Sequence, residues 1–285
     1  MAPRRTLRAG SETFELGARP WLMAIVNASP DSFSGTGGDP AGADVVDVGG
    51  ESAITGRPPV PVEEEIARVV PVVERLAAQG ALVSVDTYKP PVAEAAIAAG
   101  ARIVNDVSGL RDPALADVCA RTGAALVVMH TRAAPKQRMQ DPGAYDDVVA
   151  DGVAFLRERM AVALDRGVAE AQIILDPGPD FAKTPAQTVA VLRRLDALHE
   201  LGRPLLLAIS RKDFVGALTG RAPRERGAGT LAAIGYGIDA GALPATLSRA
   251  RVAGRCAQRG RVPTDRSETK GPPHVCRTGP LRPGA

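Results

Sequence analysis

Acidic, amide and basic side chains recur in this sequence directly after short apolar runs, where a strand would end. Their types offer hydrogen-bond acceptors, hydrogen-bond donors and an ammonium group, which together suit a polar small molecule held by several fixed contacts. If the apolar runs are parallel strands, their carboxyl ends open on one face and these residues line one pocket. The residues are Asn27, Glu51, Asp86, Asn105, His130, Asp176 and Ser210–Lys212.

Each of these residues also has a simpler interpretation. Asp, Asn and Ser are common caps and turn residues, so one of them after a strand predicts no function by itself. Asp176 could belong to a turn, Lys212 could be a solvated charge at a helix start, and Phe181 could fill the core. His130 is best explained as a strand-end histidine satisfied by packing. What favours a site is the convergence of many such endings.

The spacing of apolar residues predicts the elements that would position these side chains. Seven short β-branched runs alternate with segments whose apolar residues recur at helical spacing. This alternation predicts a parallel sheet, and seven or eight such units fit a closed (β/α)8 TIM barrel of the α/β class. The predicted strands are 21–27, 44–48, 81–86, 101–106, 124–130, 171–176 and 204–210, and the predicted helices include 62–79, 91–99, 145–167 and 188–201.

Two places interrupt the alternation. Residues 28–43 are rich in glycine and proline and would make a poor helix, so the first helix of the barrel is expected to be missing. After Gly241 no β-branched run follows and no eighth strand is recognisable, so we expect an open sheet edge and lowered stability. The predicted division is an N-terminal extension (1–20), a barrel (21–240) and a basic, disordered tail (241–285).

Composition narrows the class of protein. A chain of 285 residues with 45% hydrophobic content suits one barrel-sized domain. No apolar run is long enough to span a bilayer and no signal-peptide core follows the basic start, so we expect a cytoplasmic protein without a membrane partner. The three cysteines form no C-x-x-C pair, which argues against a disulfide framework or a zinc site. The basic tail lacks aromatic residues, so we expect no nucleic-acid partner.

Seven segments occur in the same order as in a known enzyme family. No single segment is specific, but their joint order over residues 21–240 is, and the chain resembles the dihydropteroate synthase family of pterin-binding barrels. The segments are Asn27–Ser34, Gly49–Ser52, Ser84–Lys89, Asn105–Gly109, Asp176–Lys183, Ser210–Phe214 and Arg226–Thr230.

This resemblance implies condensation of 6-hydroxymethyl-7,8-dihydropterin pyrophosphate with p-aminobenzoate, releasing pyrophosphate, in folate biosynthesis. A flat heterocycle with donors and acceptors along one edge suits carboxylates and amides fixed deep in a barrel, where water is excluded. Lys212 would reach the pterin carbonyl and ring nitrogen with its ammonium. The family's pterin-binding positions match Asp86, Asn105 and Asp176, with apolar contact from Met129 and Phe181.

A magnesium ion and a lid are also implied by the resemblance. Mg²⁺ would be held mainly by the pyrophosphate, with Asn27 as the matched position beside it. Asp31 and Phe33 lie on the loop after the first strand, which in the family folds over the reacting carbon and would protect a cationic pterin intermediate from water. The remaining expected substrate-binding residues are Ser52, Ser210, Arg211 and Asp213.

The sequence departs from the family at two loops. The family's E-S-T-R-P-G loop corresponds here to Glu51–Gly56 with Arg57 displaced, so the arginine that helps to organise the closed site is absent from its expected position. Asp213 stands where the family usually has a serine at a helix N-terminus, a natural seat for the p-aminobenzoate carboxylate. An aspartate would satisfy that helix end and repel the carboxylate, which leaves p-aminobenzoate and another amine as alternative second substrates.

The C-terminal region departs further. The family's last strand ends in an R-x-H motif that binds the pyrophosphate, and no R-x-H occurs after Gly241. Enrichment in Arg, Pro, Ala and Gly is typical of a shifted reading frame in a GC-rich gene. We therefore hypothesise that the tail is the product of a shifted reading frame. A gene sequence whose neighbouring frames lack R-x-H would reject this hypothesis.

Two further functions stay open at this level. The first is a pterin-binding paralogue that does not condense p-aminobenzoate, which Asp213, the altered second loop and the missing R-x-H favour. The second is a pterin-dependent methyltransferase barrel, which shares the pterin-holding Asp and Asn positions but lacks the S-R-K segment and the N-x-x-P-D-S-F lid. Barrels of this family commonly pair through late helices, so a homodimer is the oligomer to test for.

Overall fold

The computed structural model describes residues 5–17, 19–28, 42–51, 56, 58–240 and 245–247. The region of the expected missing helix, the lid residues Asp31 and Phe33, Ser52 and the tail beyond residue 247 lie outside this part of the chain. The expectations about them therefore stay predictions. No helix in the described part is both long and apolar enough to cross a bilayer.

The described chain begins with an antiparallel hairpin of β1 (Arg5–Ala9) and β2 (Glu12–Leu16). Gly10 turns the chain between them at a φ of +66°, a left-handed value that glycine adopts without strain. Leu7 and Leu16 are buried against side chains from the amino-terminal ends of the barrel strands. The hairpin therefore covers the amino-terminal end of the barrel, and much of the segment assigned to an extension contributes to its core.

Eight strands form one sheet in which all paired neighbours are parallel. Valine and isoleucine favour extended backbone and fill the strand interiors, which the helices bury on the outer face and other strand side chains bury on the inner face. The strands are β3 (Leu22–Asn27), β4 (Val45–Gly49), β5 (Val83–Asp86), β6 (Ile103–Asp106), β7 (Ala125–Met129), β8 (Ile173–Asp176), β9 (Leu207–Ala208) and β10 (Ala245–Leu247).

The strands follow one another in the order β8, β7, β6, β5, β4, β3, β10, β9. The outer strands β8 and β9 meet at a single bridge between Leu175 and Leu205, not at a full ladder. Leu175 donates its N–H to the Pro204 carbonyl over 2.9 Å and accepts from Leu206 over 2.8 Å. The fold is the predicted (β/α)8 barrel, with its weakest junction between β8 and β9.

The expectation that an eighth strand is lacking needs correction. β10 lies between β3 and β9, and Ala245, Thr246 and Leu247 align with Leu22, Met23 and Ala24. Three residues are too few to produce a recognisable β-branched run. The strand is defined by pairing with its neighbours, which a local pattern does not reveal.

Eight helices surround the described part of the sheet. Asp147 begins the longest by accepting hydrogen bonds from the Val149 and Ala150 amides, and Thr184 caps another with Gln187 in a capping box. The predicted helix 188–201 is in fact two helices that break at Arg194, where φ is −126°. The helices are α1 (Val62–Ala78), α2 (Pro90–Ala98), α3 (Ala114–Thr122), α4 (Val148–Asp165), α5 (Pro185–Arg193), α6 (Leu195–His199), α7 (Asp213–Thr219) and α8 (Gly227–Asp239).

Candidate functional site

The strand register brings predicted site residues into one layer at the carboxyl ends of the strands. Asp86 on β5 aligns with Asn105 on β6, and Met129 on β7 aligns with Asp176 on β8. Asn27 at the end of β3 aligns with the β4 residue that in turn aligns with Asp86. Residues far apart in sequence therefore meet because each one ends a strand of the same barrel.

A cleft of about 760 Å³ opens at this layer. Its volume is in the range of pockets that hold small-molecule ligands. Of the predicted site residues, only Asp31, Phe33 and Ser52 are not placed, since they lie outside the described residues. The predicted residues that line the cleft are Asn27, Asp86, Asn105, Met129, Asp176, Phe181, Ser210, Arg211, Lys212 and Asp213.

Carboxyl groups dominate the deep part of the cleft. Burial raises the pKa of Asp86 well above its ordinary value, and neighbouring carboxyl groups, chiefly Asp47, raise it further. Burial also raises the pKa of Asp176, while the positive charge of Lys212 acts in the opposite direction. These oxygens are hydrogen-bond acceptors with little access to water, so they suit a ligand that presents several N–H groups.

Lys212 lines the same cleft as these acids. Its Nζ donates to the Pro179 carbonyl over 2.7 Å and lies 4.5 Å from the centre of the Phe181 ring. Burial lowers the pKa of Lys212, and the Asp176 and Asp180 carboxylates raise it. The loop after β8 thus positions the ammonium beside two acids whose negative charge favours its protonated form.

The start of α7 differs from the sequence-based interpretation of Asp213. The Asp213 side chain is mostly exposed and accepts from Arg226 Nη1 over 3.2 Å. The carboxylate that accepts from the first turn of α7 belongs to Asp180, whose Oδ2 lies 3.2 Å from the Phe214 nitrogen. Asp213 lies in the first turn of α7, but the Phe214 amide there donates to Asp180, a residue 34 positions before Phe214.

The matching sequence profile is that of the family described as pterin binding enzyme, and the match spans residues 40–246. The chain belongs to the dihydropteroate synthase family. The dihydropteroate synthase of Bacillus subtilis is 41% identical over 236 residues, which are 77% of this chain and 80% of that protein. The enzyme of Escherichia coli is 38% identical over 230 residues, 75% and 81% of the two chains.

Solved structures of dihydropteroate synthases have the same fold. The Xanthomonas albilineans enzyme with 4-aminobenzoic acid superimposes with a TM-score of 0.79 at 40% identity, covering 88% of this chain and 94% of that one. The same enzyme in complex with 7,8-dihydropteroate superimposes with a TM-score of 0.72 at 41% identity, covering 84% of this chain and 91% of that one. The Thermus thermophilus enzyme with 4-aminobenzoate gives 0.75 at 40% identity, covering 89% and 97%.

Lys183 supports the site of this dihydropteroate synthase family member and was not singled out from the sequence. Its side chain is completely buried, and its ammonium donates to the carbonyls of His130 (3.0 Å), Gly178 (3.1 Å) and Phe181 (3.1 Å). Burial lowers its pKa to about 7. Lys183 therefore holds the loop after β8 in the shape that places Phe181 beside Lys212.

A second ionic cluster holds the loops after β4 and β5. Lys89 Nζ lies 2.7 Å from Glu51 and 2.6 Å from Glu65, and Glu51 also accepts from Tyr88 (3.0 Å) and Lys136 (3.0 Å). Glu51 was expected among the strand-end residues, whereas Glu65, the second carboxylate that pairs with Lys89, was not named from the sequence. Its burial, at 1% exposure, is the signal that only the folded chain reveals.

His130 is part of the packing below the cleft, as its position suggested. It is buried, its Nε2 lies 2.9 Å from Asp151, and its ring contacts Tyr145 and Phe155. Burial, reinforced by the charge of Lys183, lowers its pKa to about 3. The imidazole is therefore neutral at neutral pH and is not a general acid there, which agrees with a role in packing.

Asn27 is the residue to which the family resemblance assigns a magnesium ion. No group of three or more His, Cys, Asp or Glu side chains in the described part of the chain is arranged to hold a metal. Asn27 is exposed at the rim of the cleft and offers one amide oxygen. Magnesium commonly takes one or two protein oxygens and completes its shell with water and substrate phosphates, so this residue fits an ion that arrives with the pyrophosphate.

Proposed function

We propose that this chain is a dihydropteroate synthase that joins 6-hydroxymethyl-7,8-dihydropterin pyrophosphate to p-aminobenzoate and releases pyrophosphate. The observation that carries the proposal is the meeting of Asp86, Asn105, Asp176 and Lys212 in one cleft. Family membership over most of the chain supports the same reaction. The reaction is one step of folate biosynthesis.

The deep residues would hold the pterin by its polar edge. Asp86 and Asp176 accept hydrogen bonds from the amino group and ring N–H, and the Asn105 amide completes the plane. Lys212 leaves the Pro179 carbonyl to meet the pterin carbonyl and ring nitrogen, while Phe181 covers the ring. Fixed dipoles in a dry cleft bind the heterocycle more strongly than water does, because they need little reorganisation.

The transfer breaks the bond between the pterin methylene carbon and the pyrophosphate oxygen. The electron pair leaves with pyrophosphate, the aromatic amine forms the new carbon–nitrogen bond, and its proton is lost to solvent. Asn27 would help to hold a magnesium ion that arrives with the pyrophosphate, and such an ion would supply positive charge against the departing group. Lid closure by Asp31 and Phe33 belongs to the same proposal.

A second candidate is a pterin-binding paralogue without turnover. Asp180 and Asp213 line the same cleft as Lys212, and Asp213 is paired with Arg226. A substrate carboxylate would meet their charge, and the sequence after Gly241 has no R-x-H motif. These observations are the ones that a pterin-binding paralogue would explain.

Calorimetric titration with the pterin pyrophosphate and Mg²⁺, followed by a turnover assay with p-aminobenzoate, distinguishes the synthase from the paralogue. Binding and turnover support the synthase, whereas binding alone supports the paralogue. Asp176→Asn should weaken pterin binding at least tenfold, since it replaces a buried acceptor by a donor. Asp117→Asn, at an exposed ion pair far from the cleft, is the matched control and should bind normally. No binding by a folded wild type would contradict both candidates.

The cytoplasmic location and the homodimer are also proposed. The family's members commonly pair through late helices, and α7 and α8 expose Leu218, Leu231 and Tyr236. Light scattering tests the oligomeric state, with a mass of twice the chain's 29.5 kDa expected.

A further inference from the structure

Two side chains outside the cleft hold the backbone of the loop that carries Lys212. Arg226 and Thr230 belong to the last segment that resembles the family, and neither lines the cleft. Thr230 Oγ1 accepts from the Arg211 amide over 3.0 Å. Arg226 Nη1 donates to the carbonyls of Arg211 over 3.0 Å and of Lys212 over 3.1 Å. These residues therefore act on the cleft through the loop between β9 and α7.

Arg211 has a backbone conformation that residues other than glycine rarely adopt. Its φ is +54°, in the left-handed region, where the Cβ of an L-residue crowds the carbonyl oxygen that follows. A residue keeps such a conformation when the surrounding structure holds it there. Thr230 holds the amide of Arg211 and Arg226 holds its carbonyl, so the bonds fix the peptide groups on both sides of the strained residue.

The turn at Arg211 sets the direction of Lys212, which is the next residue and the N-cap of α7. Residues 209–212 alone separate β9 from α7, so a change of conformation at Arg211 has little chain in which to be absorbed. From this position the Lys212 side chain enters the cleft, and its Nζ reaches the Pro179 carbonyl over 2.7 Å.

The guanidinium of Arg226 is itself held in place. Its Nε donates to the Arg221 carbonyl over 3.0 Å, its Nη1 lies 3.2 Å from Asp213 Oδ1, and the side chain is 12% exposed. A Cβ at Gly216 would overlap the guanidinium, so α7 has a glycine where Arg226 lies against it. A planar group fixed on several sides holds the loop with little further loss of freedom.

We propose that Arg226 is a positioning residue for Lys212: together with Thr230 it holds Arg211 in the left-handed conformation and thereby directs the Lys212 ammonium into the cleft. This inference rests on the proposed function and deepens it, since it names residues outside the cleft that set how Lys212 meets the pterin. A merely structural Arg226 would join α7 to α8. Its loss would then lower stability without changing the site in molecules that stay folded.

Calorimetric titration of the full chain with the pterin pyrophosphate and Mg²⁺ separates these roles, because it measures the Kd and the binding stoichiometry independently. We expect Arg226→Leu to raise the Kd about tenfold at unchanged stoichiometry. In a Lys212→Ala background the same change should have little effect, because Arg226 acts through Lys212. Arg224→Leu, at an exposed arginine in the turn before α8, is the matched control and should bind normally.

Two further variants test the hydrogen bonds and the strained residue separately. Thr230→Val removes the hydroxyl and should weaken binding several-fold, whereas Thr230→Ser keeps the hydroxyl and should restore the affinity. Glycine adopts a φ of +54° without strain, so Arg226→Leu should weaken binding less in an Arg211→Gly background than in the wild type.

Labelling of lysine amines with acetic anhydride, measured by mass spectrometry, reports on Lys212 without any ligand. In Arg226→Leu the labelling rate of Lys212 should rise several-fold, because its ammonium no longer stays at the Pro179 carbonyl. Lys89, which Glu51 and Glu65 hold, is the internal reference and should keep its rate.

Four results would overturn the inference: wild-type affinity in Arg226→Leu, a loss of the same size when Lys212 is absent, a loss of the same size in the Arg211→Gly background, or an unchanged labelling rate of Lys212. If Arg226→Leu does not fold, equal affinities of Thr230→Val and Thr230→Ser would overturn it. Failure of the proposed function is distinguishable, because then the folded wild type does not bind the pterin pyrophosphate, while labelling still decides whether Arg226 positions Lys212.

Discussion

Replacement of Lys183 by methionine tests how the loop after β8 is held. Methionine has a similar length and no charge, so the variant removes the ammonium and keeps most of the packing. The Gly178 carbonyl still accepts from the Phe181 amide over 3.0 Å. The carbonyls of His130 and Phe181 lose their bond to Lys183.

The expected loss of stability follows from these contacts. A buried carbonyl left unpaired costs about 1–3 kcal/mol, and two of them cost about 2–4 kcal/mol once relief from burying the ammonium is counted. In a domain of this size this lowers the Tm by roughly 5–15 °C. The loop that places Phe181 and the Pro179 carbonyl beside Lys212 also loosens, so the affinity for the pterin pyrophosphate should fall about tenfold.

The free energy of unfolding of wild type and Lys183→Met should also diverge with pH. The pKa of Lys183 is lowered from 10.5 to about 7, chiefly by burial and also by Lys212, against the opposing charges of Asp176, Asp151 and Asp180. Between these values the unfolded chain binds more protons than the folded chain. The stability of the wild type relative to the variant should therefore rise from about pH 7 to 10.5 and be constant below pH 7.

Urea unfolding at several pH values measures both effects, and calorimetry measures pterin affinity. Arg193→Met, at an exposed position on α5, is the matched control and should change stability by less than about 0.5 kcal/mol. Lys183→Met with wild-type stability and wild-type affinity would refute the argument that this ammonium organises the loop.

Three further predictions follow from single contacts. Asp180→Asn should lower the KM for p-aminobenzoate several-fold in steady-state assays, because it removes a negative charge at the first turn of α7 that would repel the substrate carboxylate. An unchanged KM would contradict this prediction. Glu65→Leu should cost about 3–5 kcal/mol in urea unfolding, since it breaks the buried pair with Lys89; a cost below 1 kcal/mol would show that Glu51 suffices. Leu7→Ala should cost about 2–4 kcal/mol in thermal unfolding with unchanged pterin affinity in calorimetry, because the hairpin lies at the opposite end of the barrel, and weaker binding would argue against that separation.

The strands and helices were largely predictable because they follow from local periodicity. Runs of β-branched residues mark β3 to β8 within a few residues, and the helical spacing of 62–79 agrees with α1 (Val62–Ala78). The last predicted strand, 204–210, has only Leu207–Ala208 as a regular strand. Pairing with neighbours sets that length, and a single run does not reveal it.

The candidate site was predictable to the extent that it consists of strand endings. Asp86, Asn105 and Asp176 follow directly from the carboxyl ends of three strands, and parallel topology alone brings them together. The resemblance to the family then implied that these three residues bind a pterin. The supporting contacts were not predictable in the same way, because each joins residues that are distant in the chain.

By itself, the sequence determined the barrel class, the face on which the site lies and the residue types that line it, since these depend on periodicity and strand direction. Only the tertiary structure decided which groups satisfy one another. Lys183 bonds to a carbonyl 53 residues away, and the Phe214 amide at the start of α7 donates to Asp180, 34 residues before it. The physical reason is that the partner of a buried polar group is set by packing, and packing is a property of the whole fold.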